Sequence, residues 1–139
     1  MAYATRVLLV DDSIDDNFIN TRLLRKTGFT AHVDVMKDGL DALNHLRELA
    51  EAGPDAAERV PRFVFLDIRM PRLDGFEFLA EYEKLPETLR QEIVVVILTS
   101  SLLTVDRERA AAFSSLVHYI VKPLTRQKLE ELKDKLTAG

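Results

Sequence analysis

Four apolar stretches of this chain each end in residues that carry chemistry. Val7-Leu8-Leu9-Val10 runs into Asp11-Asp12, and Phe63-Val64-Phe65-Leu66 runs into Asp67. Ile93-Val94-Val95-Val96-Ile97-Leu98 runs into Thr99-Ser100-Ser101, and Val117-His118-Tyr119-Ile120-Val121 runs into Lys122-Pro123. If the four stretches are neighbouring strands, three carboxylates, a hydroxyl and an ammonium meet at one edge of a sheet. Clustered carboxylates repel one another unless a cation sits among them. Magnesium is the natural candidate, because it is a hard ion held by one or two carboxylates plus phosphate oxygens. An ammonium and a hydroxyl beside it suit two further phosphoryl oxygens.

The elements that must position these residues are legible in the hydrophobic pattern. A fifth apolar run, Ala31-His32-Val33-Asp34-Val35, alternates, where three of the others are nearly continuous. Continuous β-branched runs suit strands buried on both faces, and alternation suits a strand nearer an edge. Helical spacing fills the intervals. Ile19 and Leu23 are four apart and are followed by Gly28 as a stop signal. Leu40, Leu43, Leu46 and Ala50 precede Gly53-Pro54, and Phe76, Leu79 and Tyr82 follow Gly75. Ala110 and Phe113 lie in a short fourth helix with Thr104 expected as its N-cap. Leu129, Leu132 and Leu136 mark the last helix, with Thr125 as cap. Residues 51–62 are read as an exposed loop. Strand and helix thus alternate five times, which implies a parallel sheet with right-handed crossovers and helices on both faces. Ligands of such sheets bind beyond the carboxyl ends of the strands, at the switch point.

Composition narrows the function classes. The 139 residues are 47% hydrophobic and carry a formal charge of −4. That is the size and balance of one folded domain, and it argues against broad nucleic-acid binding, which needs a basic surface. With no cysteine, thiolate metal sites and disulfides are excluded. No apolar run is long enough to span a bilayer, and the N-terminus has no signal-peptide pattern. A cytoplasmic protein that binds neither nucleic acid nor membrane is the expectation.

The stretches Leu8-Leu9-Val10-Asp11-Asp12, Leu66-Asp67-Ile68-Arg69-Met70-Pro71-Arg72-Leu73-Asp74-Gly75, Leu98-Thr99-Ser100 and Tyr119-Ile120-Val121-Lys122-Pro123 closely resemble response-regulator receiver domains, of the single-domain chemotaxis-receiver type. The resemblance covers residues 6–136. Each piece alone is a weak signal; all four, in order at the ends of the right strands, are specific. The resemblance implies an α/β fold, a doubly wound five-stranded parallel sheet in the order 2-1-3-4-5, flavodoxin-like. One receiver domain over residues 1–139 with no output domain is the expectation, the ending Leu136-Thr137-Ala138-Gly139 reading as a natural finish. Asp67 would accept a phosphoryl group from a sensor histidine kinase or histidine phosphotransfer protein. Asp11, Asp12, Asp67 and the backbone carbonyl of Arg69 would hold Mg2+. Lys122 would pair with the acyl phosphate, and Thr99 would bond a phosphoryl oxygen. Tyr119 would be the switch aromatic, and the Lys122–Pro123 bond would be cis. Such a protein is no enzyme in the usual sense, since it assists only its own phosphorylation and dephosphorylation. It would act on a downstream protein target not readable here, and a homodimer through the fourth helix, fifth strand and fifth helix stays open.

Blander readings stand beside these. Alone, Asp11-Asp12 would be a helix cap, Thr99 a cap, Lys122 a surface lysine and Tyr119 an ordinary aromatic. Asp74 reads as a turn or cap residue, with Gly75 beside it for backbone reasons. His32, His45 and His118 share no metal-ligand spacing. A haloacid-dehalogenase-type phosphohydrolase would carry Asp-x-Asp-x-Thr after the first strand, and this chain has Asp11-Asp12-Ser13-Ile14-Asp15. A dinucleotide site would need a glycine-rich loop there. A receiver-like scaffold that takes no phosphate ranks low, because every chemical residue is present. Arg69 could overhang the site or point to solvent. Ile14 and Phe18, at the start of the first helix, are the expected kinase-docking residues.

Overall fold

The computed structural model describes residues 2–113 and 117–138. The strands are β1 (Val7–Val10), β2 (Val33–Met36), β3 (Phe63–Leu66), β4 (Val94–Thr99) and β5 (Val117–Val121). The helices are α1 (Ile14–Lys26), α2 (Gly39–Ala52), α3 (Gly75–Tyr82), the single turn α4 (Glu87–Arg90), α5 (Thr104–Ala111) and α6 (Arg126–Ala138). The sheet runs β2-β1-β3-β4-β5 and every pairing is parallel. The expected fold and strand order are thus what forms. β2, the alternating run, is indeed an edge strand.

Side chains leave a strand on alternate faces, and this divides the interior in two. Leu8, Val10, Val64, Leu66, Val95 and Ile97 face α2 and α3, where Leu43, Leu46, Phe76 and Leu79 meet them. Val7, Leu9, Phe63, Phe65, Val96 and Leu98 face α1 and α6, where Leu24, Leu129 and Leu132 meet them. Each such leucine or phenylalanine contributes about 1.5–3 kcal/mol by leaving water. Helices cover both faces of the sheet, and the carboxyl ends of its strands stay open for ligands.

α1 stops in a Schellman arrangement. Gly28 sits at φ 75°, its N–H donates to Arg25 O at 3.1 Å, and the Phe29 N–H donates to Leu24 O at 3.0 Å. Thr125 caps α6, its hydroxyl accepting from the Lys128 N–H at 3.2 Å.

Four expectations are corrected. Residues 51–62 are largely exposed but not a loop: α2 extends to Ala52 and a 3-10 helix spans Gly53–Arg59, turning its own Ala56 inward. α4 adds an element that the pattern did not reveal, because one turn is too short to show a period. Thr104 is the first residue of α5, not its cap; Leu103 takes the cap position with no side-chain bond. Ile19 is 58% exposed, while Asn17, Asn20 and Leu24 form the buried face of α1.

Candidate functional site

The strand ends are held level by ladder bonds that continue past the strands. The Asp11 N–H donates to Met36 O at 3.0 Å, the Asp67 N–H to Val10 O at 2.9 Å, and the Lys122 N–H to Thr99 O at 2.8 Å. One residue past β1 and β3, Asp11 and Asp67 therefore emerge side by side at the carboxyl edge. Asp12 follows on the more exposed side. Oxygens of Asp11, Asp12 and Asp67 all lie within 4.8 Å of one another.

Lys122 reaches this cluster from β5. Its Nζ lies 2.7 Å from Asp11 Oδ2, 2.7 Å from Asp16 Oδ2 and 3.4 Å from Asp67 Oδ2. Burial alone would lower the lysine's pKa, but the hydrogen bonds to Asp11 and Asp16 and the charge of Asp67 more than offset it. The ammonium is held well above its ordinary range. Burial pushes the Asp11 carboxyl up, with repulsion from Asp67 adding to it, although Lys122 and the Ser13 N–H work against the rise. Asp67 Oδ1 accepts from the Ile68 N–H at 2.8 Å, which leaves Oδ2 toward the lysine.

The loop after Asp67 is tightly specified. Asp74 is the N-cap of α3 in a capping box with Glu77, as its cap reading anticipated. A Cβ on Gly75 would stand 2.6 Å from Asp67 O and 2.8 Å from Ile68 Cα, so only glycine lets α3 start this close to the acidic loop. Arg72, at φ 64°, ties the loop to Asp38 and Asp41 at the start of α2. The Lys122–Pro123 bond is cis.

Thr99 ends β4, fully buried on the same edge, and its Oγ1 accepts from the Ser101 N–H at 3.3 Å. The Tyr119 hydroxyl donates to Ser101 O at 3.3 Å, so the tyrosine is bonded to the loop that follows Thr99. The Arg107 guanidinium stands 4.8 Å from its ring centre. Arg69 reaches Asp106 at 3.6 Å, and Asp106 also accepts from the Ser101 hydroxyl at 2.6 Å. Beside Asp12 and Arg69 opens a cavity of about 530 Å³ lined also by Met70, Pro71 and Arg109.

Asp11, Asp12, Asp67 and Lys122 thus converge as read from the sequence, with Thr99 on the same sheet edge and Tyr119 one loop away. Asp16, Asn17 and Asp106 were missed. Asp16 follows the acidic pair by one helical turn, a spacing that could have drawn attention to it. Asn17 donates to Asp11 O at 2.8 Å from inside the fold. Nothing in the order of residues points to Asp106.

A doubly wound sheet with an acidic, lysine-bearing crevice at its switch point defines the class of domain. Comparison with known proteins gives the family: the profile of the response regulator receiver domain matches residues 7–134, and the chain belongs to that family. It is 37% identical over 133 residues to the probable methanogenesis regulatory protein FilR2 of Methanothrix harundinacea (strain 6Ac), covering 92% of this chain and 81% of that protein. A two component response regulator from Cytophaga hutchinsonii superposes with a TM-score of 0.82 at 33% identity, over 98% of each chain. The Mn2+-bound form of response regulator Rcp1 superposes at 0.69 with 29% identity, over 92% of this chain and 88% of that one. Other relatives are far longer: the chain spans 14% of the sensor histidine kinase CheAY of Helicobacter pylori. Receivers are signalling domains rather than enzymes acting on a separate substrate. Among the described residues no helix is long and apolar enough to cross a membrane.

Proposed function

We propose that Asp67 is the phosphoacceptor of a receiver that takes its phosphoryl group from a histidine kinase or phosphotransfer protein. The observation that carries this reading is the convergence of Lys122 Nζ on Asp11 and Asp67 across the carboxyl edge of the sheet. An Asp67 oxygen attacks phosphorus, the P–N bond of the donor phosphohistidine breaks, and the imidazole leaves with the electron pair and takes up a proton. Attack by a carboxylate on a dianion is opposed by charge, and Lys122 offsets that repulsion most as charge builds on the transferring oxygens.

Asp11, Asp12 and Asp67 present hard oxygen donors at a spacing that fits Mg2+ or Mn2+, and the backbone carbonyl of Arg69 is the fourth protein ligand by family resemblance. Bound there, the ion would neutralise phosphoryl oxygens. The acyl phosphate adds roughly two negative charges. Thr99 turns to bond one of its oxygens, the loop carrying Ser101 follows, and the Tyr119 hydroxyl loses or shifts its present bond. The face built from α5, β5 and α6 then changes shape toward a downstream protein or a second copy. Residues 1–139 act as one receiver unit, in the cytoplasm.

Incubation with acetyl phosphate, followed by intact mass, tests the reading. A magnesium-dependent gain of one phosphoryl group, absent in Asp67→Asn, is the expected result. No gain together with no binding of beryllofluoride would favour a receiver-like scaffold instead.

A further inference from the structure

The Lys122 ammonium has three hydrogen-bond partners among the described residues, and they are not equivalent. Asp11 and Asp67 belong to the oxygen cluster that fits a divalent cation; Asp16 does not. Asp11 Oδ1 accepts from the Ser13 N–H at 2.9 Å, so an ammonium at 2.7 Å from Oδ2 takes the carboxylate's other oxygen, and a metal would need one of the two. The ammonium and the metal therefore compete for the same carboxylates, unless the lysine has another anion to lean on.

Asp16 is that anion. It stands in the first turn of α1, fixed there by its own N–H donating to Ser13 Oγ at 3.2 Å. Its side chain is 40% exposed, against 6% for Asp11. The acidic cluster and Asp16 thus approach Lys122 from different elements. We propose that Asp16 is a positioning residue that draws the Lys122 ammonium off the metal's carboxylates while keeping it beside Asp67. The inference rests on the metal reading above. It assigns the +5 position after Asp11 a role in metal affinity that acts only through the lysine.

The neighbouring residue supplies the control. Asp15 is exposed in the same helical turn and makes no bond to Lys122. Asp15→Asn and Asp16→Asn therefore remove the same charge from adjacent positions of one helical turn. Mg2+ binding to the unphosphorylated protein is measured by titration calorimetry for both variants, in the native background and with Lys122→Met. In the native background Asp16→Asn weakens Mg2+ roughly three- to tenfold more than Asp15→Asn does, the scale of a partly exposed ion pair. With Lys122→Met the two variants agree within about twofold, because only bare charge remains. Lys122→Gln replaces the methionine variant if that one does not fold. Equal effects of the two aspartates in the native background would overturn the proposal. So would an excess effect of Asp16→Asn that persists without the lysine. Absence of Mg2+ binding by the native chain would instead overturn the metal reading itself, and this inference with it.

Discussion

The two ends of the sheet are built on opposite principles. At the amino end, Tyr3, Phe29, Phe63 and Phe65 pack ring against ring, with Phe29 and Phe63 centred 4.9 Å apart. Arg6 and Asp34 pair at 2.8 Å across β1 and β2, and the Lys133 ammonium lies 4.9 Å from the Tyr3 ring centre. Every one of these contacts is complementary. At the carboxyl end, Asp11, Asp12 and Asp67 crowd together with one lysine reaching Asp11 and Asp67, and Asn17 buries its Oδ1 without a hydrogen-bond partner among the described residues. Like charges held together and a buried oxygen left unpaired both cost stability. One end keeps the fold, and the other gives up stability to hold the acidic edge on which the proposed phosphoacceptor stands.

Substitutions should therefore separate the two ends. The largest effect on stability belongs to the amino end. Phe29→Ala empties a fully buried ring site and should cost about 3–5 kcal/mol in denaturant unfolding. The folded fraction should still take phosphate on Asp67. Loss of acceptor chemistry in that folded fraction would break the contrast.

At the carboxyl end the expected pattern reverses. Ile14 is 68% exposed, so Ile14→Asp should change stability by no more than about 0.5 kcal/mol. It should slow transfer from a cognate kinase by about tenfold or more, the cost of a central interface residue, and leave transfer from acetyl phosphate unaltered. Intact kinase transfer would remove this surface from the account. A smaller effect is expected from Arg69→Ala. Arg69 now leans on Asp106 at the mouth of the site. Removing this cation should shorten the phospho-Asp67 half-life roughly two- to fivefold, the kinetic equivalent of about 0.5–1 kcal/mol. An unchanged half-life would mean that its side chain has no part in guarding the acyl phosphate.

The smallest effect lies on β5. Burial, with Lys135 nearby, holds His118 below its ordinary value; Arg107, Lys128 and Glu131 line the same hollow. A histidine lowered in the folded state favours the neutral form there. Its contribution is present above about pH 6.5 and is lost as pH falls through the lowered value. Thermal unfolding between pH 7.5 and 5 should fall more steeply for the native chain than for His118→Gln. Parallel curves would exclude His118 as a source of that slope.

Much of this was legible in the residue order because parallel strands announce themselves twice. β1, β3 and β5 form over the very runs read from the sequence, since such apolar segments, fully buried in β1 and β3 and half-buried in β5, are best covered within a sheet. Asp11, Asp67, Thr99 and Lys122 were legible because each follows such a run directly. What failed was local. α1 was read by Ile19 and Leu23, yet Ile19 faces solvent and Asn17 and Asn20 face inward, while Ile14 and Phe18 are exposed as their docking reading required. Periodicity alone cannot distinguish a core stripe from a docking stripe. Thr104 was assigned a cap by residue type, while the preceding loop is organised by Ser101, whose hydroxyl accepts from the Leu103 N–H and donates to Asp106. Asp16 escaped notice because its partner is 106 positions away.

The central claim is that Asp67, and no other carboxylate of the cluster, forms the acyl phosphate. Reduction of the phosphorylated chain with borohydride converts an aspartyl phosphate to homoserine, and peptide mass mapping locates the change. The account predicts homoserine at position 67. Homoserine at position 11 or 12 would contradict it and would place the nucleophile after the first strand, as in the phosphohydrolase alternative.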